Sequence, residues 1–164
     1  MKAEYTDVWF VNGREISGEW KEVELPFRRI SARAIIVRRK DSSILGTLHR
    51  EGGRYALPGG GLENGESTIE TVQRELSEEN IVLKMPEWNV NVAVDFYDGY
   101  EELSIWHMVL VEDASIGASE ENIESRWVGQ DEDVWYPSMR ENLVLAINRY
   151  LPDQAKVSTT VTPL

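Results

Sequence analysis

The sequence predicts an α/β (α+β) fold in a single domain, and three observations carry that expectation. β-Branched or alternating segments recur along the chain, the clearest being RISARAIIVR over 29–38. Gly, Asn and Pro breaks separate them. Two further stretches, one from Ser67 with Ile69, Val72 and Leu76 and one over 137–151, space their apolar residues at helical intervals. At 164 residues the chain suits one domain, expected over 1–152, with 1–28 as an amino-terminal strand extension and 153–164 as a flexible tail.

Taken in order, DVWFVNGREI over 7–16 centres on Asn12-Gly13, a strong hairpin signal, so an added amino-terminal β-hairpin is expected there. A strand over 20–25 follows, before Pro26. Trp9, Phe10 and Trp20 suit a sheet face better than a base-stacking platform. Segment 29–38 reads as a central strand and 43–48 as its partner across Lys40-Asp41-Ser42. Gly52 and Gly53 then permit a tight turn before Ala56-Leu57-Pro58. Beyond the first helix, 90–96 and 103–111 read as two antiparallel strands joined near Asp98-Gly99-Tyr100. An acidic loop is expected over 112–124, a short closing strand over 125–128, and a helix from Pro137 with Met139, Leu143, Ala146, Ile147 and Leu151 as its apolar stripe.

The chemistry concentrates in LPGGGLENGESTIETVQRELSEENIV, residues 57–82, where six glutamates accompany one arginine. Ser67-Thr68-Ile69-Glu70 has the form of a capping box, so a helix begins at Ser67. At about 100° per residue, Ile69, Val72 and Leu76 share one arc, and Glu75, Glu78 and Glu79 share the next. Like charges at i, i+3 and i, i+4 destabilise a helix unless a cation relieves them. Hard divalent ions such as Mg²⁺ take oxygen ligands, usually a few carboxylates plus substrate phosphates. A solvated acidic face is the ordinary alternative for a charge run. The fixed offset of the glycine triplet and the Arg74-Glu75 pair favour the cation. Glycines 59–61 read either as a flexible turn or as backbone that a metal or phosphate can approach closely, and the offset favours the second.

This spacing resembles the signature of the Nudix hydrolase family: Gly60, five residues, Glu66, seven residues, then Arg74-Glu75-Leu76-Ser77-Glu78-Glu79 and an apolar Val82. Average composition would produce the six matched Gly, Glu and Arg positions at roughly 10⁻⁸ per starting point. The departure is Ile81, where the family has a second glycine; Asn80 tolerates the left-handed conformation that this glycine would supply. The resemblance implies a Nudix fold, a mixed β-sheet sandwiched by helices. It also implies divalent-metal-dependent hydrolysis of a nucleoside diphosphate linked to another group.

The implied site has Glu75 and Glu79 as principal ligands of Mg²⁺ or Mn²⁺, with Glu78 and the Gly60 carbonyl sharing coordination. Glu75 is alternatively the general base, and Arg74 would orient it. Glu121 best matches the spacing of a further ligand in relatives, with Glu120 and Glu124 as rivals. Glu66, about 180° round the helix from Glu75, reads as structural. Arg50 and Arg54 flank the glycine approach and read equally as substrate-binding residues or as exposed charges. A binding module without turnover is the competing function, disfavoured because all three helix carboxylates remain. Isopentenyl-diphosphate isomerisation on this fold normally depends on a cysteine that the chain lacks.

A net charge of −12 disfavours polynucleotide partners and leaves small phosphorylated nucleotides, whose contact a metal can mediate. No apolar run approaches a membrane span, and the amino terminus lacks a signal-peptide pattern. Zero cysteines exclude disulfides, thiol catalysis and a Cys-based zinc site, and suit a cytoplasmic location. The two histidines, His49 and His107, lack metal-ligand spacing and read as strand residues. The resemblance also admits a homodimer.

Overall fold

The computed structural model describes residues 8–11, 14–17, 29–97 and 102–151. The expected strand at 20–25, the Asn12-Gly13 and 98–100 connections and the 153–164 tail lie outside them. Strands β1 (Val8–Val11) and β2 (Arg14–Ser17) pair antiparallel, which places a two-stranded unit at the amino terminus.

The central sheet combines β3 (Arg29–Arg38), β4 (Ile44–Leu48), β5 (Gly59–Gly61), β7 (Glu87–Tyr97), β8 (Glu102–Val111) and β10 (Glu124–Val128). Its order is β10-β4-β3-β8-β7, with β5 added on β3. β3 and β8 run parallel over ten residue pairs from Arg29↔Glu102 to Arg38↔Val111, while the other pairings are antiparallel. The sheet is therefore mixed. β3 is apolar on both faces because both are covered, as in parallel sheets generally.

Alternation along β3 divides the core in two. Ala32, Ala34 and Ile36 face helix α1 (Thr68–Glu78), meeting Val72 and Leu76 together with Leu45, Val109 and Val111. Ile35 and Val37 face helix α2 (Pro137–Tyr150), meeting Leu143, Ala146 and Ile147 with Trp106, Met108 and Trp135. The result is a helix-sheet-helix sandwich. β3 at its centre carries β5 and, through it, the start of α1.

The structure differs from the sequence reading at two places. The acidic stretch expected as a loop over 112–124 begins with β9 (Asp113–Ile116), which pairs antiparallel with β6 (Ile81–Lys84) directly after α1. Four residues of Asp-Ala-Ser-Ile carry too little alternation to announce a strand; the partner supplies the ladder. The glycine triplet is likewise a strand, paired Ser31↔Gly61, Ala32↔Gly60 and Arg33↔Gly59. Gly59 has φ +144°, and a Cβ there would collide with the Ala32 carbonyl oxygen.

Candidate active site

Helix α1 starts and stops on local chemistry. The Ser67 hydroxyl accepts from the Glu70 amide at 3.2 Å, and the Glu70 carboxylate accepts from the Ser67 amide at 2.7 Å, which completes the capping box. At the other end Asn80 takes φ 54°, the left-handed conformation that closes a helix. Position 81 is then free to be apolar. Ile81 is buried against Val72 and Leu76 and begins β6. Asn80 also binds the next segment, donating from Nδ2 to the Ala118 carbonyl at 2.5 Å and accepting from the Gly117 amide at 2.9 Å.

Glu75 and Glu79, on one face of the helix end, meet Glu121 from the loop after β9. One ligand oxygen from each lies within 4.8 Å of the others. Of the three candidates in the acidic stretch, Glu121 joins this group, whereas Glu124 begins β10 and lies near Arg126 at 3.8 Å. Glu78 is not one of the three; it accepts at 3.1 Å from Arg74 Nη1, the nitrogen that also donates to Glu75.

Arg74 is the hub of the helix side. Its Nε and Nη2 donate to both Glu66 oxygens at 2.6 and 3.2 Å, Nη2 donates to the Gly61 carbonyl at 3.0 Å, and Nη1 donates to Glu75 at 3.0 Å. One guanidinium thus ties the glycine strand, the box glutamate before the helix and a cluster carboxylate together. Arg74 holds the Glu66 carboxyl down at about 2, and Glu66 in turn raises the pKa of Arg74. Gly60 abuts the Glu75 carboxylate so closely that a Cβ would occupy the carboxylate's place.

Burial sets the electrostatics of the cluster. Glu79 is 1% exposed, and burial pushes its pKa up to about 7. Its neighbours Glu75 and Glu121 push the same way, while Asn122 and Arg33 oppose. Glu75 is also raised, chiefly by burial, with Arg74 opposing. Glu79 Oε2 is buried without a hydrogen-bond partner.

The loop side rests on different contacts. The Ile123 amide donates to the Leu48 carbonyl at 2.8 Å, the Glu121 amide donates to Ser119 Oγ at 3.1 Å, and His49 Nδ1 lies 3.4 Å from the Glu121 carbonyl oxygen. A depression of about 500 Å³ lined by Glu78, Asn80, Ala118, Ser119, Glu120 and Glu121 opens beside the cluster. Arg54 is engaged away from it, with Nη1 donating to the Asp133 carbonyl and carboxylate at 2.8 and 3.2 Å. Arg50 sits in the exposed turn that follows β4. His107, in β8, lies 2.8 Å through Nε2 from Thr68 Oγ1, and burial lowers its pKa. His49, Arg33 and Asn122 were not legible as site neighbours, since a single His, Arg or Asn in a strand or loop carries no spacing signal.

A mixed sheet between two helices, with a glycine strand leading into a carboxylate-bearing helix, defines the class of fold. A family model described as the NUDIX domain matches residues 27–146, and the chain belongs to that family. Among solved structures, the MutT protein from Methanosarcina mazei Go1 is similar at 25% identity and a TM-score of 0.56, over 74% of this chain and 94% of that one. An ADP-ribose pyrophosphatase from Streptococcus suis 89-1591 is similar at 18% identity and a TM-score of 0.55, over 76% and 93%. A bifunctional NMN adenylyltransferase/ADP ribose pyrophosphatase from Francisella tularensis, complexed with AMP and Mn ion, shares 18% identity at a TM-score of 0.58 over 76% of this chain. The match spans 43% of the Francisella chain, less than half its length. The likenesses at 18% identity show the fold. No curated protein matches the sequence.

Among the described residues, no helix is long and apolar enough to cross a membrane.

Proposed function

We propose that the chain is a divalent-metal-dependent pyrophosphohydrolase that cleaves a phosphoanhydride bond in a nucleoside diphosphate linked to another moiety. The observation that carries this reading is the convergence of Glu75, Glu79 and Glu121 within 4.8 Å, with Glu79 Oε2 buried and unpartnered. Three carboxylates brought together and partly desolvated oppose folding unless positive charge joins them. The residues fit Mg²⁺ or Mn²⁺: the donors are all oxygen, and Gly60 has no side chain to displace the Glu75 carboxylate.

Glu75, Glu79, Glu121 and the Gly60 carbonyl are the assigned ligands, with Glu78 at the rim. A cation held there would neutralise charge on the phosphoryl oxygens and acidify the attacking water. Arg74 fixes the orientation of Glu75, which serves as ligand or takes the water's proton. Raised carboxylate pKa values suit proton acceptance near neutral pH. Arg50 is the candidate for a substrate phosphate, while Arg54, engaged by Asp133, is the weaker one. The pyrophosphatases among the structural neighbours support the reaction class rather than a particular nucleotide.

The test is product analysis with Mg²⁺ or Mn²⁺ over ADP-ribose, nucleotide sugars, dinucleoside polyphosphates and nucleoside triphosphates. Nucleotide product from at least one class is expected, and none from any class would sink the reading. Glu79→Gln is expected to lower kcat by at least about 10³-fold in a folded protein. Turnover like wild type would remove Glu79 from the machinery.

A further inference from the structure

Four buried side-chain polar atoms among the described residues lack a hydrogen-bond partner: Glu79 Oε2, both polar atoms of Asn122, and Trp135 Nε1. Three of the four therefore belong to two residues of one locality. Asn122 follows Glu121 directly, so the loop that brings Glu121 to Glu79 carries the Asn122 side chain to the same place. A buried amide with neither its donor nor its acceptor satisfied is costly, and native structures keep such groups only where something else completes them.

The backbone leaves Asn122 little choice of place. On one side the Glu121 amide is held by Ser119 and its carbonyl lies beside His49; on the other, the Ile123 amide is held by Leu48 at 2.8 Å. Between these anchors the side chain keeps both polar atoms out of water. An apolar residue there would avoid the penalty.

We propose that Asn122 is a positioning residue: when the assigned ligands hold a cation, its side-chain amide completes a hydrogen bond to the Glu79 carboxylate and with it the polar wall behind those ligands. The inference rests on the metal-dependent reading above. Outer partners of this kind orient carboxylate ligands, and losing one typically weakens metal binding 10–100-fold. Asn122 is thus kept for the loaded site at the expense of the metal-free protein.

The experiment compares wild type with Asn122→Leu, close in size and without polar side-chain atoms. Mn²⁺ affinity is measured by titration calorimetry, metal-free stability by thermal melting, and kcat and KM with whichever substrate the panel identifies. The leucine variant is expected to melt at or above the metal-free wild type, to bind Mn²⁺ at least about 10-fold more weakly, and to lose kcat with little change in KM. A merely structural Asn122 would lower the melting temperature and leave Mn²⁺ affinity alone. A folded variant with a Kd within about twofold of wild type overturns the proposal. If the leucine variant does not fold, Asn122→Ser is judged by the same Kd criterion. Failure of the wild type itself to bind Mn²⁺ overturns the parent reading, so the two failures are distinct.

Discussion

Glu79 and Glu121 bring carboxylates to the same point under opposite conditions. Glu79 closes a helix, is almost wholly buried, and belongs to a segment wired by Arg74, Gly61 and the capping box. Glu121 is exposed and rides on a loop held by a few hydrogen bonds to β4, Ser119 and Asn80. The helix side is built by local sequence, the loop side by contacts between distant segments. Such a pairing gives a site one rigid wall and one wall that can adjust to a ligand.

The contrast can be broken most sharply on the rigid side. Gly60→Ala puts a methyl group where the Glu75 carboxylate lies, so kcat is expected to fall about 100-fold and stability by about 1–3 kcal/mol. Steady-state kinetics and urea unfolding check both, and wild-type values would show that the glycine strand yields. Glu121→Gln, on the adjustable side, is expected to cost about 10-fold in kcat while leaving the melting temperature within a degree or two. A loss matching that of Glu79→Gln would mean that the two walls are equally essential.

The smallest effect concerns pH. Glu79 has its ordinary pKa of 4.5 when unfolded and about 7 when folded, so the folded state binds the proton more tightly. Its contribution to stability is full below about pH 4.5 and is lost as pH rises through about 7, at most about 3 kcal/mol. Metal-free wild type should therefore lose stability between these values, and metal-free Glu79→Gln should lose less. Equal slopes would place the titration elsewhere. Glu121, exposed on the loop, should leave the slope largely unchanged when replaced by Gln.

The same contrast explains what could be read from the sequence. α1, its capping box, the role of Asn80 beside Ile81, the strands 29–38 and 103–111 and the α2 stripe all follow from spacing within a few residues. Arg74 beside Glu75 was equally visible, although its simultaneous hold on Glu66 and Gly61 depends on β5 lying against β3. The β6-β9 pair was hidden because each strand is only four residues long, β6 follows directly on the helix pattern and β9 has little apolar alternation. Asn122 was hidden for a stronger reason: its amide is buried only once the loop is pinned to β4 next to it, and nothing in Glu-Asn-Ile records that.

The junction of Glu79 with Glu121 has a topological consequence under the proposed assignment. The chain has no cysteine, so no disulfide can close any of its loops. A cation shared by these two carboxylates would act as a removable cross-link across the segment from 79 to 121, which contains β6, β7, β8 and β9. Unlike a disulfide, its hold is set by free cation concentration, so depleting the ion would release the loop without chemical reduction.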